Sequence, residues 1–222
     1  MSTLGRVTIG SAVAFVLAAA SVALAGAVDR PKIRLSAADN AVARAAVLRR
    51  ADLGSGANWQ GGARKPDLSP EHLCPHFNPK QSDLVLTGIA ESIFSEGTLA
   101  FDSQTQVLQT PRMLQLNWQR SVVAPGLLSC LRTTTAKSSP PGTVVSIAKL
   151  AFPRVATYTA AFRLTTDVHT PGGTVRLFVD LAMFGRGRTQ ITLTTSGPYS
   201  ARVPVKAAEI RLAKVLATRI RS

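Results

Sequence analysis

Residues 174–184 read Thr-Val-Arg-Leu-Phe-Val-Asp-Leu-Ala-Met-Phe, and this run decides the fold class. Side chains of a strand alternate between two faces. That places Val175, Leu177, Val179, Leu181 and Met183 on one side and Arg176, Asp180 and Phe184 on the other. Gly172-Gly173 before the run and Gly185-Arg186-Gly187 after it are hairpin turns by residue type. Three more period-two runs flank it, Val144–Phe152, Val155–Thr166 and Arg188–Thr195, and Leu84–Phe94 alternates in the same way upstream. Consecutive strands joined by short turns imply an antiparallel meander.

The remaining segments predict helices. On a 100° wheel over 203–220, Val205, Ala208, Leu212, Val215, Leu216 and Ile220 share one face, while Lys206, Arg211, Lys214 and Arg221 share the opposite one. Asp39 as N-cap and Gly54 as stop bracket a helix over 40–52. Thr110-Pro111 opens a helix that runs to about Val122, Pro125-Gly126 breaks it, and a short helix over 126–134 presents Cys130 to the interior. The expected fold is α+β: an antiparallel sheet of about five strands, with helices packed on one face, the N- and C-terminal helices among them.

Ahead of this domain lies an export signal. Arg6 is followed by a charge-free stretch from Val7 to Val28, rich in Ala and Val, which contains the A-x-A exit Ala23-Leu24-Ala25. We read 1–25 as a signal peptide, 26–37 as a short polar tether and 38–222 as a single domain. A second reading keeps the apolar stretch as an uncleaved membrane anchor, since it is about as long as a bilayer is thick. Against that, Ala, Ser, Thr and Gly gain less from lipid than Leu, Ile or Phe. The expected location is therefore secreted or extracytoplasmic, with only peripheral membrane contact unless the segment is retained.

The 222 residues carry 26 Lys and Arg against 12 Asp and Glu. Without Arg6 the balance is 25 against 12, about +13. Such a field favours polyanions: anionic lipid, acidic wall polymer or nucleic acid. Aromatic side chains are 5% of the sequence and no nucleic-acid motif occurs, so nucleic acid is not expected. The basic helix face is a candidate contact for an anionic envelope component, or simply a solvated surface. Cys74 and Cys130 are the two cysteines, and an even pair in an exported chain is most simply a disulfide.

Catalytic constellations are sparse in this sequence. Glu71, His72, Cys74 and His76 are zinc-type ligands in six residues, yet Pro75 opposes their convergence and an oxidised Cys74 cannot ligate, so no metal or other cofactor is expected. Ser146-Ile147-Ala148-Lys149 matches S-x-x-K, but on a strand residues three apart face opposite ways. Glu91, Glu96 and Asp102 read as too scattered for an acid/base pair, His169 as a solvated loop residue, and Asp180 as the partner of Arg176 or Arg163.

One order of features has a likeness. A signal segment is followed by a helix ending Ala51-Asp52-Leu53-Gly54, then Trp59, Cys74, a strand, and a helix leading into Leu128-Ser129-Cys130-Leu131. Long antiparallel strands, Gly187-Arg188-Thr189 and an amphipathic helix ending Leu216-Ala217-Thr218-Arg219-Ile220 complete it. This resembles the actinobacterial secreted proteins and lipoproteins that share the extracellular sensor-like domain of a mycobacterial membrane serine/threonine kinase. The resemblance implies a twisted antiparallel sheet with helices and a groove for a small ligand, and it implies no catalysis. It carries one bridge onto Cys74 and Cys130. Neither a second cysteine pair, a kinase domain nor a lipobox cysteine is present, so neither signalling nor lipid anchoring carries over. Two functions stand at this point: a non-enzymatic ligand-binding or sensor-like module of the envelope, or an envelope hydrolase or transferase.

Overall fold

A computed structural model describes residues 29–220 apart from 56–57, 69–73, 75–76, 140, 142 and 171–172. The signal segment, Glu71, His72, His76 and Arg221 lie outside the described residues. Among the described residues eight strands form one sheet: β1 (Lys32–Ile33), β2 (Gln60–Arg64), β3 (Val85–Glu96), β4 (Leu99–Leu108), β5 (Val144–Lys149), β6 (Tyr158–Thr170), β7 (Gly173–Arg186) and β8 (Thr189–Pro198). Four helices accompany them: α1 (Ala37–Ala46), α2 (Pro111–Asn117), α3 (Leu127–Ser138) and α4 (Arg202–Arg219). The strand order is β1-β3-β4-β8-β7-β6-β5, with β2 also on β3.

The α+β class holds, but the sheet is larger than about five strands and is mixed. Lys32 and Ile33, read as tether, pair parallel to Val85 and Leu86. The strand β4 was hidden by Asp102, Gln104 and Gln106, which alternate with Phe101, Ser103, Thr105 and Val107. β2, Gln-Gly-Gly-Ala-Arg, carries no apolar run to reveal it.

Helices cover both faces, not one. Every residue of β7 from Leu177 to Gly185 is buried, and a strand buried on both sides needs a layer on each. Ala182 and Phe184 join Leu193, Ile191, Leu212, Leu216 and Ile220 in one cluster, under α4 and the end of α1. Val179, Leu181 and Met183 point the other way, against Trp118, Val122, Leu127 and Leu131.

Polar residues within the sheet are matched to specific partners. Ser103 Oγ accepts from Leu48 N at 2.8 Å, and Ser92 Oγ donates to Leu48 O at 2.9 Å, so two strand serines satisfy the backbone that leaves α1. Ser36, not Asp39, caps α1, its hydroxyl accepting from Asp39 N at 3.1 Å. The Asp39 carboxylate instead receives both Arg188 guanidinium nitrogens. Here α1 lies so close to β3 that a Cβ on Gly88 would sit 2.3 Å from Asp39 O.

Leu212, Ala213 and Leu216 are fully buried under α4, whereas Lys214 is exposed. Leu212→Ala should therefore cost about 2–5 kcal/mol in denaturant unfolding, and Lys214→Gln less than about 1 kcal/mol.

Candidate functional site

An apolar cleft opens where the α2–α3 layer stops short of the β5–β6 edge. Thr110 caps α2 and Pro111 occupies its first turn. The helix then widens into a π turn over Trp118–Val122, closed by Val123 N donating to Trp118 O at 3.1 Å. Such turns recur at functional sites. This one buries Trp118 and Val122 and leaves Val123 56% exposed. Ala124-Pro125-Gly126 turns the chain into α3, where Leu127 and Leu128 continue the wall.

A covalent brace holds that wall. Cys130 on α3 is bridged to Cys74, with Cα atoms 5.2 Å apart, as the sequence implied. Phe77, close to Cys74, packs so tightly on Gly126 that a Cβ there would meet its ring at 2.5 Å. The opposite wall is Lys149, Leu150, Phe152 and the Thr159–Phe162 stretch of β6. The enclosed volume is about 580 Å³, within the range of small-molecule sites. An adjoining cavity of about 310 Å³ shares Phe152 and Thr159 and adds Trp118, Arg154, Thr157 and Tyr158.

The cleft is bordered by cations without an acid partner among the described residues. Arg64, Arg120, Arg163, Arg176, Arg188 and Arg219 each hold a carboxylate. Lys149 has no carboxylate partner among the described residues, and Arg154 donates only to the carbonyls of Ala156 and Thr157, at 3.4 and 3.2 Å. Lys206 of α4 stands 4.6 Å from the centre of the Phe152 ring and 3.3 Å from Glu209. Sequence reasoning passed over Val123, Phe152 and Arg154. Their one local signal was Pro125-Gly126 and Pro153, which stop regular structure on both walls.

Carboxylates read as scattered do converge, but on arginine. Glu91 and Asp102 share one sheet face, on adjacent strands, and Arg64 of β2 reaches both, at 3.3 Å for Asp102. Asp180, 1% exposed, takes both nitrogens of Arg163, one of the two partners expected, while Arg176 pairs with Asp167. Beneath α4, Glu209 is 1% exposed, and burial with the nearby Asp180 charge pushes its carboxyl above the usual range despite Lys206. Its neighbour is the Thr195 hydroxyl, yet neither Oε1 nor Oγ1 makes a well-formed hydrogen bond among the described residues.

The remaining sequence candidates separate. Arg211 is exposed and donates to Asp52 O at 2.7 Å, Lys214 is exposed, and Lys206 is half-buried against Phe152. His169 sits at the end of β6, bonded to Thr174 Oγ1 at 2.9 Å. Ser146 and Lys149 lie on β5 with opposite facing. Among the described residues no group of three His, Cys, Asp or Glu side chains could hold a metal, and no helix is long and apolar enough to cross a membrane.

No protein-family model matches the sequence, and no curated protein matches it significantly. Among solved structures, the chain is similar to the extracellular domain of PknH from Mycobacterium tuberculosis. Identity is 12%, the match covers 81% of this chain and 96% of that one, and the TM-score is 0.45. It is also similar to an uncharacterized protein from Mycobacterium smegmatis, at 15% identity, 82% and 98% coverage and a TM-score of 0.46. A third neighbour is LpqN of Mycobacterium tuberculosis, involved in cell envelope biogenesis, at 13% identity, 76% and 86% coverage and a TM-score of 0.26. The kind of extracellular domain that the sequence resembles is thus among its structural neighbours.

The raised Glu209 carboxyl gives a pH signature of definite sign. A carboxyl whose pKa is higher folded than unfolded stabilises most at pH below the unfolded value, and that stability is lost as pH rises through the folded value. Asp39 and Asp52 act oppositely, because Arg188 holds the first below its ordinary range, and at the second burial, which raises the carboxyl, is outweighed by Arg219 and Arg49 together. The stability of Glu209→Gln relative to the parent should therefore increase from about pH 4 upward. Denaturant unfolding of both proteins across pH checks it; a difference independent of pH contradicts the burial of a titrating Glu209.

Proposed function

We propose that this chain is an exported, non-enzymatic binding module of the cell envelope that holds a small ligand in the cleft between the α2–α3 layer and the β5–β6 edge. The observation that carries the reading is the cleft itself: apolar walls from Val122, Val123, Leu128, Phe152 and Phe162, with unneutralised cations at hand. Apolar concavities with a few polar groups are where small ligands bind. Export rests on the Val7–Ala25 signal and on the Cys74–Cys130 bridge, which persists in oxidising compartments. Beyond the cleft, Lys214 and Arg211 on α4 add to a field that favours an acidic envelope component.

The other reading, an envelope hydrolase or transferase, needs proton-transfer groups open to a substrate. Glu91 and Asp102 are held by Arg64 and Asp180 by Arg163, an arrangement that favours scaffolding over proton transfer.

A thermal-shift screen of small apolar and amphipathic compounds tests the proposal, because a ligand of the folded state alone must raise Tm. Val123→Glu, an exposed position on the cleft wall, is the control. We expect compounds that raise the Tm of the parent and leave that of Val123→Glu unchanged. Either no stabilising compound, or stabilisation retained in the variant, contradicts a binding site in this cleft.

A further inference from the structure

We propose that the ligand of this cleft is an anionic single-chain amphiphile, its hydrocarbon chain between the Val123–Leu128 and Phe152–Phe162 walls and its carboxylate on Lys149 and Arg154. The inference rests on the cleft being a binding site and goes on to name the chemistry it takes.

Charge complementarity carries it. Six arginines elsewhere in the molecule are each neutralised by an acid and so are not available to a ligand, whereas Arg202 and Arg211, like the cations of the cleft, hold carbonyls and no carboxylate among the described residues. Lys149 borders the larger cavity and Arg154 the smaller, neither with a carboxylate among the described residues, and no acidic side chain lines either space. Arg154 is nevertheless held in place by the Ala156 and Thr157 carbonyls, which leaves guanidinium donors for a ligand oxygen. The cavity lining supplies Val122, Leu127, Leu128, Leu150 and Phe162 for a chain but no buried polar group to orient a sugar or a nucleotide base. Lys206, 4.6 Å from the centre of the Phe152 ring, is paired with Glu209 and is not counted among the cations open to a ligand.

Binding of decanoate, dodecanoate and dodecanol, measured calorimetrically at low and high salt, tests the assignment on the purified protein. The variants are Val123→Glu and the double change Lys149→Gln with Arg154→Gln, all at exposed positions; unfolding curves matching the parent confirm that each folds. Dodecanoate should bind about tenfold tighter than decanoate, from two more buried methylenes. The double variant should lose about fivefold or more for dodecanoate and nothing for dodecanol, and salt should mimic that loss. Val123→Glu should abolish both.

Equal affinity of the parent for dodecanol and dodecanoate overturns the head-group assignment while the binding reading stands. Absence of chain binding, with other compounds still stabilising the parent through Val123, overturns the chain and again spares that reading. Dodecanoate binding unaffected by Val123→Glu places the site elsewhere and overturns the proposal. Co-sedimentation with phosphatidylglycerol vesicles that needs Lys149 and Arg154, without monomer binding, assigns those cations to a membrane surface and overturns it as well.

Discussion

The burial of β7 on both faces is the constraint on which the rest of the molecule depends. Phe178, Ala182 and Phe184 point to one side and Val179, Leu181 and Met183 to the other, all 5% exposed or less. Each large side chain so buried contributes about 1.5–3 kcal/mol, so neither face tolerates water and each must carry its own layer. Asp180 is the one charge in this stretch, and a buried carboxylate without a partner would be strongly destabilising. Arg163, directly opposite in the β6–β7 register, answers that need. The two helix layers differ in kind. One is built from the ends of the chain, α1 and α4, and seals the β3–β4–β8–β7 face with aliphatic side chains. The other is a short, interrupted helical segment in mid-chain, braced through a disulfide.

That asymmetry accounts for the cleft. The α2–α3 layer bends at the π turn and again at Ala124-Pro125-Gly126, so it covers Val179, Leu181 and Met183 but leaves the outer part of β6 and the end of β5 open. The bridge at Cys130 and the Phe77 ring on Gly126 fasten a second segment of chain to the start of α3. In the chain-entropy account a bridge across 56 residues contributes roughly 4 kcal/mol.

Much of this was legible in the residues. The four C-terminal strands and the cysteine pair follow from period and compartment; the α4 stripe is legible in part, since Leu212, Leu216 and Ile220 are buried but Glu209, Ala213 and Ala217 share that burial while Val205, Ala208 and Val215 are half-buried. The one-sided helix layer did not survive, although Phe178, Ala182 and Phe184 already made the second face of β7 apolar. β4 was lost because Asp102, Gln104 and Gln106 alternate with its apolar and small residues, and Arg64, the partner of Asp102, comes from a strand with no apolar signature. The cleft was not legible at all. Val123 and Arg154 lie in breaks between regular elements, where position depends on long-range packing, and Phe152, read by period as the end of a strand from Val144, falls beyond Lys149, where β5 stops.

The central claim is that the space between Val123 and Phe162 is a ligand site with an anionic end. A crystal structure of the protein with dodecanoate tests it most directly. The account predicts a chain along Leu128 and Phe152, with the carboxylate in hydrogen-bond reach of Lys149 Nζ or the Arg154 guanidinium. An empty cleft in the same crystals, with dodecanoate bound on the exposed face of α4 around Arg211 and Lys214, would contradict it.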